Sequence, residues 1–182
     1  MMEYVYVSRF HPKDLTSTSF CFITHSPAFT IAMIICILEY WIEWYFFPSL
    51  KANFYLYFPA LICVLFFQFI RSLSMFTAGE HFHHSIRFKR EEKHKLVTHG
   101  IYAYSRHPSY FGWFWWAVCM PVMLGNPLCI IGYALKAHMF FVDRIEMEEE
   151  TLIEFFGQDY INYRNTVPVG IPFIKSANDK KK

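Results

Sequence analysis

Between residues 27 and 142 the chain alternates apolar blocks with a single long polar interruption, a pattern that few folds tolerate. The blocks cover 27–47, 54–70, 111–124 and 127–142. The first reaches ~31 Å as a helix at about 1.5 Å per residue, enough to cross the hydrocarbon core of a bilayer. Hydrophobic residues make up 54% of the chain and aromatics 21%, and they are bunched rather than spread at amphipathic spacing. A water-soluble core shows the spread pattern, and a membrane protein shows the bunched one. The pattern predicts an all-α, polytopic helical membrane protein with about four spans. The expected organisation is one domain over 1–182, with spans near 27–47 and 54–70. A C-terminal helical hairpin with arms 109–124 and 127–142 completes it.

The third and fourth blocks hold 14 and 16 residues, and Gly125-Asn126-Pro127 reverses the chain between them. Each is shorter than an untilted span wants, so together they read as a hairpin that enters and returns to the side it left. That topology brings the polar stretch 94–110 beside the charged stretch 143–150. Pro59 and Pro121 are expected to kink the helices that contain them. Basic residues crowd 71–106 and the tail after Arg164, whereas the turn 48–54 carries only Lys51. By the bias of basic loops toward the cytosol, segments 71–108 and 143–182 are cytosolic. A net charge of +2 gives no reason to expect a nucleic-acid partner.

Several smaller features are read structurally. Glu39 and Glu43 are four residues apart and share a helix face, pointing to an internal hydrogen bond or a lumenal-interface position. Tyr4, Tyr6 and Phe10 suggest a membrane-associated edge, followed by a connector. The first ten residues are not a signal peptide, because the apolar run is short and broken by Arg9. Five cysteines show no metal spacing and are read as reduced packing residues. His81 to His84 lack a further ligand at suitable spacing, so no metal is expected. The tail after Thr151 is amphipathic, and Phe155, Phe156, Tyr160 and Tyr163 are expected to dock on the protein or the membrane face.

Two patches carry chemistry. In HKLVTHGIYAYSRHPSY (94–110), Gly100 permits close approach of the backbone. Arg106-His107-Pro108 sets an extended entry to a helix, with Pro108 suited to the first turn. Ser109 and Tyr110 then offer hydroxyls at a helix N-terminus, a good place for a carboxylate. Tyr102 and Tyr104 can stack on a flat ring or line a cation. In DRIEMEEE (143–150), Arg144 and Glu148 share a face. The arginine fork suits a carboxylate and the glutamate suits a cation. Taken alone, the pair is also an ordinary i,i+4 ion pair worth a few tenths of a kcal/mol. A ligand carrying a purine, a cation and a carboxylate would satisfy both patches together, in a pocket on the cytosolic side.

These residues resemble a known family. GIYAYSRHPSYFGW, the apolar hairpin after it, then RIEMEEE, FG, YINYR and VPVGIPFI are similar to isoprenylcysteine carboxyl methyltransferases, as are SMFTAGEHFHH and HKLVTHG upstream. The resemblance implies a multi-pass endoplasmic-reticulum membrane enzyme with its active site facing the cytosol. It implies methyl transfer from S-adenosylmethionine to the C-terminal α-carboxylate of a prenylated cysteine on CaaX-processed proteins. Carried over, His94, Lys95, Leu96 and Val97 match an adenosyl-binding strip. Tyr102, His107, Pro108, Ser109 and Tyr110 match methionine and ribose contacts. Arg144 matches the arginine on the acceptor side, Glu148 a glutamate reaching the cofactor, and Arg106 a third catalytic participant. Arg87 stands where the family has a glutamine, and it keeps only a weak cofactor role. Animal members carry further N-terminal spans, so the resemblance implies a short form, a truncated gene model or a fragment.

An ionised carboxylate needs no general base, and one arginine is expected at the acceptor rather than a cluster, so that the nucleophile is oriented without being neutralised. Trp113, Trp115 and Trp116 are candidates for the tail entry or for an interfacial aromatic belt. The alternatives are a membrane methyltransferase acting on a phospholipid or other lipid amine, and a truncated form that binds cofactor without turnover. A nicotinamide enzyme is more distant.

Overall fold

The computed structural model describes residues 2–10, 27–52, 54–82 and 95–174. Among them it contains six α-helices: α1 (Met2–Phe10), α2 (Pro27–Phe46), α3 (Phe54–Ala78), α4 (Pro108–Leu124), α5 (Pro127–Phe156) and α6 (Gln158–Thr166). No strand occurs among the described residues. Short 3-10 turns cover Pro48–Ala52, Gly79–His81 and Gly100–Ala103. Two stretches are helical, long and apolar enough to cross a membrane, Pro27–Phe46 and Tyr55–His81. The second helix continues past the expected limit at residue 70, because nothing from Arg71 to Ala78 breaks it. Ile31, Ile34, Ile35 and Ile37 on α2, and Leu65, Phe66 and Phe69 on α3, are exposed, a surface suited to lipid rather than water.

The α3–α4 packing is the most extensive in the fold, and it turns on one residue. A Cβ at Gly112 would stand 2.8 Å from the Phe67 carbonyl oxygen and 2.9 Å from the Arg71 nitrogen. Both neighbours are backbone and cannot swing away, so only glycine permits this crossing. Phe67 stacks on Trp115 and meets Phe111 edge-on across the same seam. The close approach carries Arg71 to the start of α4, where its Nη1 donates to Ser109 Oγ at 3.1 Å.

The α4–α5 hairpin is fastened at its turn by groups from outside it. Gly125 holds φ +66°, the left-handed conformation that ends a helix, with Tyr57 filling the space a side chain would need. Lys51 Nζ stands within hydrogen-bond distance of the carbonyls of Leu124 (3.0 Å) and Gly125 (2.8 Å), of Asn126 Oδ1 (2.8 Å) and of Glu43 (2.6 Å), four acceptors around its three N–H groups. A cation therefore sits on the negative end of α4. Glu39 accepts from the backbone N–H groups of Leu128 (2.7 Å) and Cys129 (2.9 Å), placing an anion on the positive end of α5. Both intrahelical carboxylates thus take internal partners, one of the two outcomes the sequence allows.

At the other end α5 runs without a break through Asp143 to Phe156. Ala137, Phe141, Ile145 and Glu149 recur every four residues and are all buried. The first three pack with Phe114, Val169 and Ile171 in the main core. Tyr6 of α1 is buried against Met75, and its hydroxyl donates to the Gly79 and Phe82 carbonyls, so this edge docks on the protein.

Replacing Gly112 by Ala should force α3 and α4 apart and lower stability by roughly 1–3 kcal/mol, the usual cost of overpacking a tight contact. Thermal unfolding of the purified chain in micelles measures this, and an unchanged midpoint would show that the seam has room to yield.

Candidate active site

The connector after Gly100 meets the charged end of α5, and one acid organises the meeting. Glu149 is fully buried. Its Oε1 accepts from Arg106 Nε at 2.5 Å and lies 3.3 Å from His107 Nε2. Burial by itself would push the Glu149 carboxyl up. The hydrogen bonds and charges of His107 and Arg106 outweigh that and bring it down to about 2. Glu149 is therefore ionised and can only accept, so the facing His107 Nε2 carries a proton. Arg106 also donates from Nη1 to the carbonyls of Val167 (2.6 Å) and Arg164 (3.3 Å). Its own N–H reaches Pro168 O, and Ser105 Oγ donates to Val169 O at 2.7 Å. The tail is stapled to the connector through its own carbonyls. Arg106, expected as a catalytic participant, spends its guanidinium on this staple, although part of it also lines the cleft described next.

With Glu149 turned inward, Glu148 faces a polar cleft of about 130 Å³. Lys95, Leu96 and Val97 form one wall of the cleft and Tyr102, His107, Ser109 and Tyr110 another. Pro108 is buried at the first position of α4, where it shapes the backbone. Tyr104 turns outward and is 81% exposed, because the short turn ends at that residue. His94 and Arg87 lie outside the described residues, as do His83 and His84. Burial, then the charge of Glu148, pushes the Tyr102 hydroxyl above its ordinary range, so it stays protonated and donates to Ser74 O at 3.4 Å.

Arg144 and Glu148 are joined by a residue from the other patch. Tyr110 donates its hydroxyl proton to Glu148 Oε2 at 2.5 Å, and its oxygen accepts from Arg144 Nε at 2.9 Å. The Arg144 guanidinium also stands 5.4 Å from the Tyr110 ring centre, and His107 stacks parallel on that ring at 5.5 Å. Arg144 does not line the polar cleft. It lines a second cavity, an apolar groove of about 1020 Å³ between α2, α4 and α5. Phe82, Ser109 and Tyr110 belong to the walls of both cavities. Trp113 lines the groove, whereas Trp115 packs on α3.

Sequence reading missed three groups here: Glu149, Arg71 and Tyr160. Arg71 lines the groove beside Ser109 and Arg144, so two arginines, not one, stand at its polar end. Tyr160 lines the cleft with its hydroxyl buried and without a hydrogen-bond partner among the described residues. Arg71 carried a signal, since it is a cation about two turns inside an otherwise apolar helix. Tyr160 carried none beyond helical spacing.

Residues 60–154 match the sequence model of the Isoprenylcysteine carboxyl methyltransferase (ICMT) family. Over 174 residues the chain is 50% identical to the Protein-S-isoprenylcysteine O-methyltransferase of Dictyostelium discoideum, covering 96% of this chain and 73% of that one. This chain belongs to the isoprenylcysteine carboxyl methyltransferase family. It is 44% identical over 175 residues to the human Protein-S-isoprenylcysteine O-methyltransferase, covering 96% of this chain and 61% of that relative. A solved structure of the eukaryotic intramembrane Ras methyltransferase ICMT superposes with a TM-score of 0.92 at 43% identity, covering 96% of this chain and 62% of that one. The family's all-helical membrane fold is therefore the fold of this chain, which spans roughly three-fifths to three-quarters of the length of these relatives.

Glu149→Gln should leave Arg106 as an uncompensated buried charge and lower stability by roughly 3–5 kcal/mol at neutral pH. In the parent chain the Glu149 carboxyl falls from an ordinary 4.5 to about 2, so its contribution is complete above pH 4.5 and fades as pH drops toward 2. Unfolding midpoints across that window should fall for the parent and flatten for the variant. Superimposable acid profiles would show that Glu149 is not the coupling group.

Proposed function

We propose that this chain transfers a methyl group from S-adenosylmethionine to the C-terminal α-carboxylate of a prenylated cysteine at the cytosolic face of the endoplasmic-reticulum membrane. The reading includes a single domain with spans near 27–47 and 54–70 and a hairpin of 109–124 and 127–142. The observation that carries it is the separation of charge across Tyr110. The cleft side presents the Glu148 carboxylate, and the groove side presents the Arg144 and Arg71 guanidinia. A cationic donor and an anionic acceptor with an apolar tail match those two sides. A neutral amine acceptor has less use for the two arginines than an anionic carboxylate has, so their presence supports the carboxylate.

The cleft residues fit the cofactor by their chemistry. Glu148 offers the countercharge to a cation, Tyr102, Phe82 and Phe156 offer aromatic surface, and the Tyr160 hydroxyl is a buried hydrogen-bonding group in need of a partner. Lys95, Leu96, Val97, His107, Ser109 and Tyr110 complete the walls. When bound, the group supplies a methyl whose bond to a positively charged sulfur breaks as its bond to the acceptor oxygen forms.

The protein's part is placement. A terminal α-carboxylate has a pKa near ~3.5 and arrives ionised, so no base is needed. Arg144 presents a planar fork that fixes the carboxylate's orientation, while Arg71 holds Ser109 and adds a second positive charge. Tyr110 ties Arg144 to Glu148, so the acceptor and donor sites share one anchor. The apolar groove strips water from the carboxylate, which strengthens its attraction to the arginines and removes the hydration that opposes charge recombination. Arg106 acts on this site as a positioning residue, through Glu149 and the tail carbonyls.

The direct test is a methyl-transfer assay in membranes containing this chain as the only enzyme, with an S-farnesylcysteine acceptor. Label should enter a base-labile ester; label in lipid amines instead would overturn the reading. Glu148→Ala should lower kcat/KM at least about a hundredfold in a folded protein, the scale of losing one preorganised charge contact. Arg144→Lys should lose nearly as much as Arg144→Ala, since lysine cannot reproduce the fork. Full activity in the lysine variant would show that point charge alone suffices.

A further inference from the structure

The tail does not stay at the surface where α6 ends. Val169 O accepts from Ser105 Oγ, just before the start of α4. One residue on, a Cβ built at Gly170 would stand 3.1 Å from the Phe111 ring, at the first turn of α4. Ile171 is buried in the core that holds Phe114 and Ala137. Pro172 O then accepts at 3.1 Å from Nε2 of His138, which carries the proton because a carbonyl only accepts. His138 lies five residues before Asp143, where the apolar block of α5 ends. At about 1.5 Å per residue, that is roughly 7–8 Å further in along the axis.

An irregular segment at that depth must find its hydrogen-bond partners in the protein, because lipid supplies none. This one does so as it descends. Val167 O accepts from Arg106 Nη1, Pro168 O from the Arg106 backbone N–H, Val169 O from Ser105 and Pro172 O from His138. Pro168 and Pro172 have no N–H to satisfy.

The next residue departs from what a turn in water favours. Phe173 holds φ +60°, a left-handed conformation rare for a bulky side chain, and it is 92% exposed. A turn in water places glycine, asparagine or aspartate there. On α5, Leu128, Ile131, Leu135 and Met139 are exposed at spacings of three and four, so they form one apolar stripe. Phe173 directly follows the residue whose carbonyl His138 holds, which sets it at the depth where that stripe ends.

We infer that residues 169–174 form a re-entrant lipid anchor, with the Phe173 ring inserted among the acyl chains of the leaflet in which α5 ends. The partner is bilayer hydrocarbon, continuous with the lipid-facing stripe of α5. The anchor holds the tail where its carbonyls meet Ser105 and Arg106, so the bilayer itself helps to seat the connector. This rests on the reading of 127–142 as membrane-embedded.

The test uses the full chain in phosphatidylcholine vesicles, with the photoreactive p-benzoylphenylalanine placed separately at Phe173, at Leu135 and at Glu154. Glu154 is exposed on the charged end of α5 and serves as the water-facing reference. Mass spectrometry after irradiation reads lipid adducts, which should form at 173 and 135 and not at 154. Adducts at 135 without any at 173, or a protein adduct at 173 in place of lipid, would overturn the anchor and leave the hairpin in the membrane. No adduct at 135 would overturn both. A second measurement compares Phe173→Asp with Phe173→Leu by thermal unfolding in the same vesicles. In water, a residue this exposed tolerates either change, and aspartate suits the left-handed backbone better than leucine. In hydrocarbon the carboxylate is penalised. The aspartate variant should therefore unfold several degrees below the leucine variant. Equal midpoints, or a higher one for aspartate, would overturn the inference.

Discussion

A buried carboxylate sets the rotation of α5, and nearly everything in the site follows from that rotation. Glu149 could not stay ionised in the interior without the Arg106 and His107 contacts, and Arg106 could not stay buried without Glu149. The pair therefore locks the connector to the helix. Residues on one helix differ by about a hundred degrees per step at 3.6 per turn, so fixing Glu149 inward leaves the ridge of Phe140, Arg144 and Glu148 facing the cavities. The adjacent glutamates in the sequence thus have opposite fates, one buried as a strut and the other lining the cleft.

Tyr110 converts that rotation into a boundary. It comes from the start of α4, whose position against α3 depends on the absence of a side chain at Gly112. Its hydroxyl links Arg144 to Glu148, and its ring carries His107 on one face. Two compartments of different polarity therefore meet at Tyr110, with Phe82 and Ser109 also belonging to both. The arrangement keeps opposite charges apart: the Glu148 carboxylate lines one cavity and the Arg144 guanidinium the other, with Tyr110 bonded to both. Arg106 lines the cleft in part, yet its guanidinium is turned to other partners. A third guanidinium in the groove would add to two already there, and its charge is instead absorbed by an acid and the tail carbonyls.

Much of this was legible in the chain itself. The hairpin followed from two short apolar blocks around Gly125-Asn126-Pro127, and the helical continuation through DRIEMEEE from the lack of any breaker. Arg144 and Glu148 were readable as a matched cation and anion on one face. Glu149 was not singled out, because a run of acids reads as a solvated surface unless the apolar stripe feeding into it is followed to its end. Ala137, Phe141 and Ile145 do lead to Glu149 at intervals of four, and an acid at the end of a buried stripe requires a partner. Arg71 and Ser109 could not be paired in advance, since their contact depends on the α3–α4 crossing set by Gly112. Tyr104 was read as able to stack on a flat ring, but it follows the 3-10 turn as its cap and is exposed.

The far end of the hairpin shows why the two cavities keep their relation to one another. Lys51 neutralises the last carbonyls of α4, and Glu39 answers the first N–H groups of α5. Both are charges placed where a helix end would otherwise carry unmet polar groups in an apolar setting, and each complements the dipole it faces. Asn126 adds a bond to the Cys36 carbonyl, so α2 is tied to the turn by side chains from both partners. With the turn pinned to α2 and the open end pinned by Glu149, α5 cannot slide relative to either neighbour without breaking charged contacts at both ends. The groove's length is then a property of the backbone rather than of flexible side chains.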